Sequence, residues 1–356
     1  MPTSSCIKCQ TLPILKDSES NLIFGFEVIE LCTKFKNFLD DNNINYFKED
    51  SLTIVIRTSS FIDFLSNLLS KNIFKKHERE AIYILSLNEN EKLDYSKIKN
   101  VKSLEKYKNQ ISAQELSSLL SKGGLTTHFQ PILDVKTNTI YGYETLARGV
   151  NEDGTLVPPN KLFTWAKDGD MLFYLDRACR ENSLKTAAIK NIRAKVFINF
   201  IPTAIYDPNH CLKSTVKWAN SLEFDPKNVI FEVVESENIE DIEHLKNILN
   251  FYKSKGFMIA LDDVGSGYSS LNMIVQLLPD IVKVDREIIK DIYKNKANQS
   301  VFTAIVNIAK ENNIVVLAEG IETKEEYLYL KENGASLAQG YYFAKPSAEP
   351  IRKIKF

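Results

Sequence analysis

From residue 112 onward, short apolar stretches alternate with longer amphipathic ones for about 245 residues, the size range of an eight-stranded β/α barrel. The apolar stretches are HFQPILDV (128–135), IYGYETLAR (140–148), KVFINF (195–200), VIFEVVE (229–235), MIALDD (258–263), DIVKVD (280–285), IVVLAE (314–319) and QGYYFA (339–344). Helical stretches such as VFTAIVNIAKEN separate most of them. That order calls for crossover connections and a parallel sheet. Only the turn VKTNT parts the first two, so they are expected to pair antiparallel. The expected fold is α/β, a modified TIM-type (β/α)8 barrel with its first strand antiparallel.

Residues 1–110 read as a small α+β domain. IFGFEVIELCTKFKNFLDD is a strand running into a helix, LTIVIRT and AIYILS are strands, and FIDFLSNLLSK is a helix. The charged run Glu89–Gln110 reads either as a linker or as an exposed connecting helix. SAQELSSLL then opens on Ser112 with Glu115 three residues on, a capping-box pattern that marks the start of the second domain, 111–356.

Polar residues cluster at the C-terminal ends of the barrel stretches: Glu144, Asn199, Glu232 with Glu235 after it, Asp262 and Asp263, Lys283 and Asp285, Glu319, and Gln339 opening the last. The C-terminal mouth of a barrel is where catalytic groups sit, and a charge in a strand is costly unless paired or bound to metal. Adjacent Asp262 and Asp263 read either as a helix cap plus a solvated loop carboxylate, or as partners sharing cations where the frayed strand end opens into a glycine-rich loop. Six consecutive strands presenting carboxylates, amides and a single lysine favour the second reading. Oxygen donors without histidine or cysteine suit Mg²⁺ or Mn²⁺. A pair of such ions about 3.5–4 Å apart is the arrangement used in phosphodiester cleavage.

Charge narrows the partners. The 45 Lys and Arg nearly cancel the 46 Asp and Glu, so no basic field marks long nucleic acid as a partner. The N-terminus lacks the pattern of a signal peptide, and no uncharged apolar run approaches the roughly 18 residues of a membrane span. Five cysteines fit a reducing compartment, so a cytoplasmic protein without membrane association is expected. Cys6 and Cys9 form CIKC, for which ordinary cysteines are favoured over a metal or redox site.

Taken together, FQPI (129–132), YETLAR (143–148), INF (198–200), EVVES (232–236), DDVGSGYSSL (262–271), KVDR (283–286), AEGIET (318–323) and QGYYFAKP (339–346) resemble the EAL-domain phosphodiesterases, which linearise cyclic di-GMP, in order and spacing. The resemblance covers about residues 112–350. It implies Glu144, Asn199, Glu232 and Asp262 as ligands of a first Mg²⁺ or Mn²⁺. Asp262 would bridge to a second ion held also by Asp263 and Glu319. It implies Lys283 as the group that positions the attacking water, Glu319 as a further catalytic carboxylate, and Glu235 as the anchor of the loop from Asp263 to Ser270. It implies substrate contacts at Gln130, Leu146, Arg148, Asp285, Arg286 and Gln339, and a homodimer through the barrel. Ca²⁺, with its longer and irregular coordination, is expected to inhibit, and the N-terminal domain is expected to take a regulatory protein or small-ligand partner.

Two positions depart from the family pattern. The name-giving motif reads Glu144-Thr145-Leu146, and Val264 replaces an aromatic after the paired aspartates. No Gly-Gly-Asp/Glu-Glu-Phe run occurs in the first 110 residues, so no cyclase activity is expected there. A catalytically silent cyclic di-GMP receptor and an interaction module are the alternative readings.

Overall fold

The computed structural model describes Asp17 and residues 20–88, 95–205, 207–222, 224–234, 242–265 and 270–354. It divides into two compact units, residues 1–122 with 163–171, and residues 123–162 with 172–356.

In the first unit, β1 (Ser20–Phe26), β2 (Tyr46–Lys48), β3 (Thr53–Thr58), β4 (Ile82–Asn88) and β5 (Lys102–Ser103) form one antiparallel sheet in the order β2-β3-β1-β4-β5. With helices Ile29–Asp41 after β1 and Phe61–Ser70 after β3, the first four strands follow the β-α-β-β-α-β ferredoxin-like pattern. Period-two alternation turns Leu22, Phe24 and Phe26 of β1 inward, against Phe35 and Phe38 of the first helix and Phe64 of the second. The Phe24 and Phe35 rings pack with centroids 4.4 Å apart, tilted by 30°.

Over its described part, the charged run after β4 is not a linker. Its described part forms a short 3₁₀ turn, Tyr95–Asn100, then β5, and from Leu104 a helix running unbroken to Ser121. Ser103 caps that helix, accepting from the Lys106 amide at 3.2 Å. Ser112 is therefore not a cap; it is buried mid-helix. The run misleads because its apolar contacts, Leu104 and Tyr107 in the first unit's core, lie among lysines.

The second unit is the barrel. In chain order its strands are β6 (Leu125–Asp134), β7 (Thr139–Val150), the short β8 (Leu156–Val157), β9 (Lys195–Phe200), β10 (Val229–Val234), β11 (Met258–Val264), β12 (Ile281–Val284), β13 (Val315–Ala318) and β14 (Leu337–Ala338). The sheet runs β6-β14-β13-β12-β11-β10-β9-β7-β8, and pairing of β6 with β7 closes it. β6 is antiparallel to both neighbours, whereas β7, β9 and the five strands that follow run parallel.

The barrel floor explains the position of the site. Ile132, Phe197, Ile230, Ala260, Ile281, Leu317 and Leu337, one from each of seven strands, form a buried inner cluster. On a strand the next residue facing the same way is two along. Two residues on from these lie Asn199, Glu232, Asp262, Lys283, Glu319 and Gln339; on antiparallel β6, Gln130 lies two residues back. One apolar layer thus plugs the barrel, and the layer above it is polar.

The last strand differs from expectation. QGYYFA is a turn; the eighth strand is the two-residue β14 before it. Three successive aromatics imitate a strand, but a Cβ on Gly340 would lie 2.0 Å from the Ile321 carbonyl oxygen, so the chain turns where only glycine fits. Gln339 consequently closes β14 at the mouth.

Candidate active site at the barrel mouth

Lys283, 1% exposed, occupies the centre of the polar layer. Its Nζ lies 2.6 Å from Glu232 Oε1, 3.0 Å from Asp262 Oδ2, 3.0 Å from Glu319 Oε1 and 3.9 Å from Glu144 Oε1. Carboxylate oxygens of Glu144, Glu232 and Asp262 all fall within 4.8 Å of one another. Glu144 is held in place by two amides: Asn199 Nδ2 donates to its Oε1 at 3.1 Å and Gln339 Nε2 to its Oε2 at 2.7 Å.

The charges do not balance. One ammonium faces four carboxyls, and burial pushes Glu232 and Glu319 well above the usual carboxylate range, reinforced by their acidic neighbours and opposed by Lys283. Burial alone would lower the Lys283 pKa, but Asp262, Glu232, Glu319 and Glu144 together hold it well above normal. Glu232 Oε2 and Gln339 Oε1, both buried, accept no hydrogen bond among the described residues. A buried oxygen without a donor is costly. An oxygen-rich, cation-deficient cluster with orphaned acceptors fits a hard divalent ion such as Mg²⁺ or Mn²⁺.

Asp262 and Asp263 reach the mouth by a bulge rather than by fraying. β11 continues through Val264, and its register against β12 shifts between Leu261 and Val264. Asp263 sits in the left-handed region at φ 56°, and its amide donates to Asp262 Oδ1 at 2.9 Å. The extra residue lets Val264 turn back into the core, fully buried, and leaves Asp263 half-buried beside the cluster. Burial first, then Asp262 and Asp285, push the Asp263 carboxyl up to about 6.

A cavity of about 330 Å³ opens beside the cluster, lined by Gln130, Glu144, Arg286, Glu319, Glu322 and Gln339 together with Gly320, Gly340 and Tyr341. Gln130 Nε2 donates to the Ala344 carbonyl at 3.3 Å. Arg286 ion-pairs with Glu322 at 2.8 Å and donates to the Gly320 carbonyl. Asp285 caps the following turn, accepting from the Glu287 amide at 2.7 Å. Arg148 is partly buried and donates to the Ala147 carbonyl, and Leu146 is partly exposed on the same strand. Glu235, Cys6 and Cys9 lie outside the described residues. Glu322 was not legible as a site residue; its only signal was its place in AEGIET, three residues after Glu319.

A closed barrel whose mouth gathers acids around one lysine defines a class of metal-fitting barrel proteins, and comparison with known proteins narrows it. The EAL domain family model matches residues 113–346, and the chain belongs to that family. The "Probable cyclic di-GMP phosphodiesterase PdeG" of Escherichia coli K12 is 28% identical over 249 residues, 68% of this chain and 49% of the relative. The "Cyclic di-GMP phosphodiesterase PdeR" of the same organism is 30% identical over 236 residues, 65% of this chain and 35% of the relative. The chain thus spans half or less of the length of these curated relatives. A standalone EAL protein from Vibrio cholerae O395, solved in a cyclic di-GMP-bound form, is 37% identical with a TM-score of 0.59, covering 65% of this chain and 95% of that one. Among the described residues no helix is long and apolar enough to cross a membrane.

Proposed function

We propose that this chain hydrolyses cyclic di-GMP to linear pGpG in a reaction that depends on Mg²⁺ or Mn²⁺. The observation that carries this reading is the buried acid cluster around Lys283 with an orphaned Glu232 oxygen. The names of the relatives and the cyclic di-GMP-bound Vibrio protein support the choice of substrate.

Glu144, Asn199, Glu232 and Asp262 would hold one ion, and Asp262, Asp263 and Glu319 a second. Bound there, the ions supply positive charge opposite the phosphodiester and acidify water. Gln339 and Asn199 fix the rotamer of Glu144 by donating to its two oxygens, so that the carboxylate is set before anything binds. Lys283 donates hydrogen bonds to the attacking water and orients it toward phosphorus. The new P–O bond forms in line with the leaving 3′ oxygen, the P–O3′ bond breaks, and a proton ends on that oxygen. Arg148 at the rim offers a guanidinium to a phosphate. Gln130, Leu146, Asp285 and Arg286 complete the substrate surface in this reading, and Glu235 anchors the loop after Asp263. A cytoplasmic homodimer through the barrel, and a signal or partner received by residues 1–110, complete it.

The test is chromatography of the products after incubating the protein with cyclic di-GMP and Mn²⁺, Mg²⁺ or Ca²⁺, with Glu144→Ala as control. Linear pGpG is expected with Mn²⁺ and Mg²⁺ and not with Ca²⁺, whose longer, irregular coordination misplaces the reacting groups. Binding of cyclic di-GMP without any linear product in Mn²⁺ or Mg²⁺ would establish the silent receptor instead.

A further inference from the structure

A second buried charge cluster lies behind the barrel wall, in helix Leu172–Ile189. Asp176 is 2% exposed and Arg180, one turn on, fully buried. The two carboxylate oxygens divide their work. Oδ2 accepts from Arg180 Nε at 2.9 Å and Nη2 at 2.8 Å, while Oδ1 accepts from the Ile201 backbone amide at 2.9 Å. Arg180 Nη1 donates to the hydroxyl of Thr215, itself fully buried. Ile201 is the first residue after β9, two residues beyond Asn199.

A strand-end amide can be satisfied by a water or a hydroxyl. Here it is served by a carboxylate whose burial requires a fully buried arginine, an expensive device that adds little stability over an apolar pair. What it gains is geometry. The Ile201 amide is pinned from behind, and Phe200 packs its ring against Phe231 and Tyr252, with centroids 6.3 and 5.5 Å away. Pro202 then stiffens the exit. Asn199 is therefore held by its own strand on one side and by Glu144 at its Nδ2 on the other, which leaves its Oδ1 as the atom available to a cation.

We propose that Asp176, locked by Arg180, is a positioning residue for the cation site, fixing the backbone immediately after Asn199 so that the Asn199 carboxamide stays in register with Glu144. This rests on the metal-site reading above. Outer partners that orient a ligand typically change metal affinity 10–100-fold.

The experiment is calorimetric titration of the metal-stripped full chain with Mn²⁺ alone, comparing wild type, Asn199→Ala, the paired change Asp176→Leu with Arg180→Met, and all three changes together. The paired change removes both charges together and so avoids an unpaired buried charge, but it leaves the Ile201 amide and the Thr215 hydroxyl without their partners, so the melting temperature should fall modestly while the chain stays folded. Its Mn²⁺ affinity should fall roughly 10–100-fold, and adding Asn199→Ala should cost little more, because both act through one ligand. Wild-type affinity in the paired variant, or fully additive losses, overturns the positioning role. If the paired variant does not fold, Asp176→Asn is judged by the same criteria; its nitrogen cannot accept from Ile201 while its oxygen serves Arg180. Equal Mn²⁺ affinity in wild type and Asn199→Ala would instead defeat the metal-site reading itself.

Discussion

At the scale of single residues, alternation along β7 decides what each change can do. Glu144 faces the barrel interior, so Thr145 faces outward, and its hydroxyl donates to the Phe197 carbonyl at 2.6 Å. The threonine in the name-giving motif thus serves the barrel wall rather than the chemistry. Thr145→Ala should lower stability by about 1 kcal/mol, the net value of one hydrogen bond, and leave hydrolysis within about twofold of wild type. A tenfold loss of rate with an unchanged melt would contradict that division. In the proposed reading Asp263 lies on the other side of it. Its carboxyl is raised from its ordinary 3.8 to about 6, so the metal-free folded state binds that proton more tightly than the unfolded chain. The resulting stabilisation is present below about 3.8 and is lost as pH rises through about 6; Glu232 and Glu319, also raised, add losses of the same sign. Metal-stripped protein should therefore melt higher at pH 5 than at pH 7.5, and Asp263→Asn should flatten part of that slope. With Mn²⁺, the same change should cut hydrolysis at least ~100-fold, the scale of losing one well-placed electrophile. Wild-type turnover in this variant would remove Asp263 from the site. The carboxylates were legible because acids closing apolar strands are rare without a purpose. Asp176 was not, because its partner Ile201 is remote in sequence and nothing in LDRACR distinguishes a buried aspartate from a solvated one.

At the scale of elements, what the sequence concealed was the punctuation. Strand cores from KVFINF to IVVLAE stood out because each is buried on both faces. The bulge in β11 did not, because a left-handed non-glycine residue leaves no mark in composition. The two-residue β14 was overwritten by the aromatics that follow it. Those aromatics pack as a turn: Tyr342 and Phe343 lie 5.1 Å apart, and Phe343 meets Tyr327 edge-on at 5.1 Å. The turn closes against the loop after β13, since the Ile321 amide donates to the Gln339 carbonyl at 3.1 Å and the Tyr342 amide to the Ile321 carbonyl at 2.9 Å. Gly340 is the point of closest approach. Gly340→Ala should push these two loops apart, cost about 3 kcal/mol, the upper range of ordinary overpacking, and disturb Gln339 and Glu319 together. Calorimetric melting and turnover should fall in step. A variant as stable and active as wild type would mean the loops separate without cost.

At the scale of the whole molecule, the division of the chain is less simple than its sequence order. Alternation marks a barrel from His128 onward, yet residues 163–171 group with the first unit, although the chain on either side of them belongs to the barrel. The reason is local. Helix Leu104–Ser121 sets Lys108 against Asp168 in an ion pair, and a Cβ on Gly169 would lie 2.6 Å from the Ala113 Cβ, so glycine permits the close approach. No periodicity announces such a contact, which joins positions about 60 apart. Removing residues 1–110 cuts this helix in its middle, discarding the Ser103 cap and Lys108 while keeping Ala113, Leu116 and Leu119. The eight strands and the inner cluster of the barrel lie wholly within what remains, so the fragment 111–356 should fold and retain the acid site. Segment 163–171 should not retain its order. Its amides at Gly169 and Met171, bonded to the Trp165 and Ala166 carbonyls at 2.9 and 2.7 Å, report on it directly. In hydrogen exchange these two amides should lose protection about tenfold or more relative to the full chain, while those of β10 and β12 keep theirs, since regions with few buried contacts open first. Loss of protection throughout the strands would show that the two units share one core; unchanged protection at Gly169 and Met171 would show that the second half of the helix alone secures the segment.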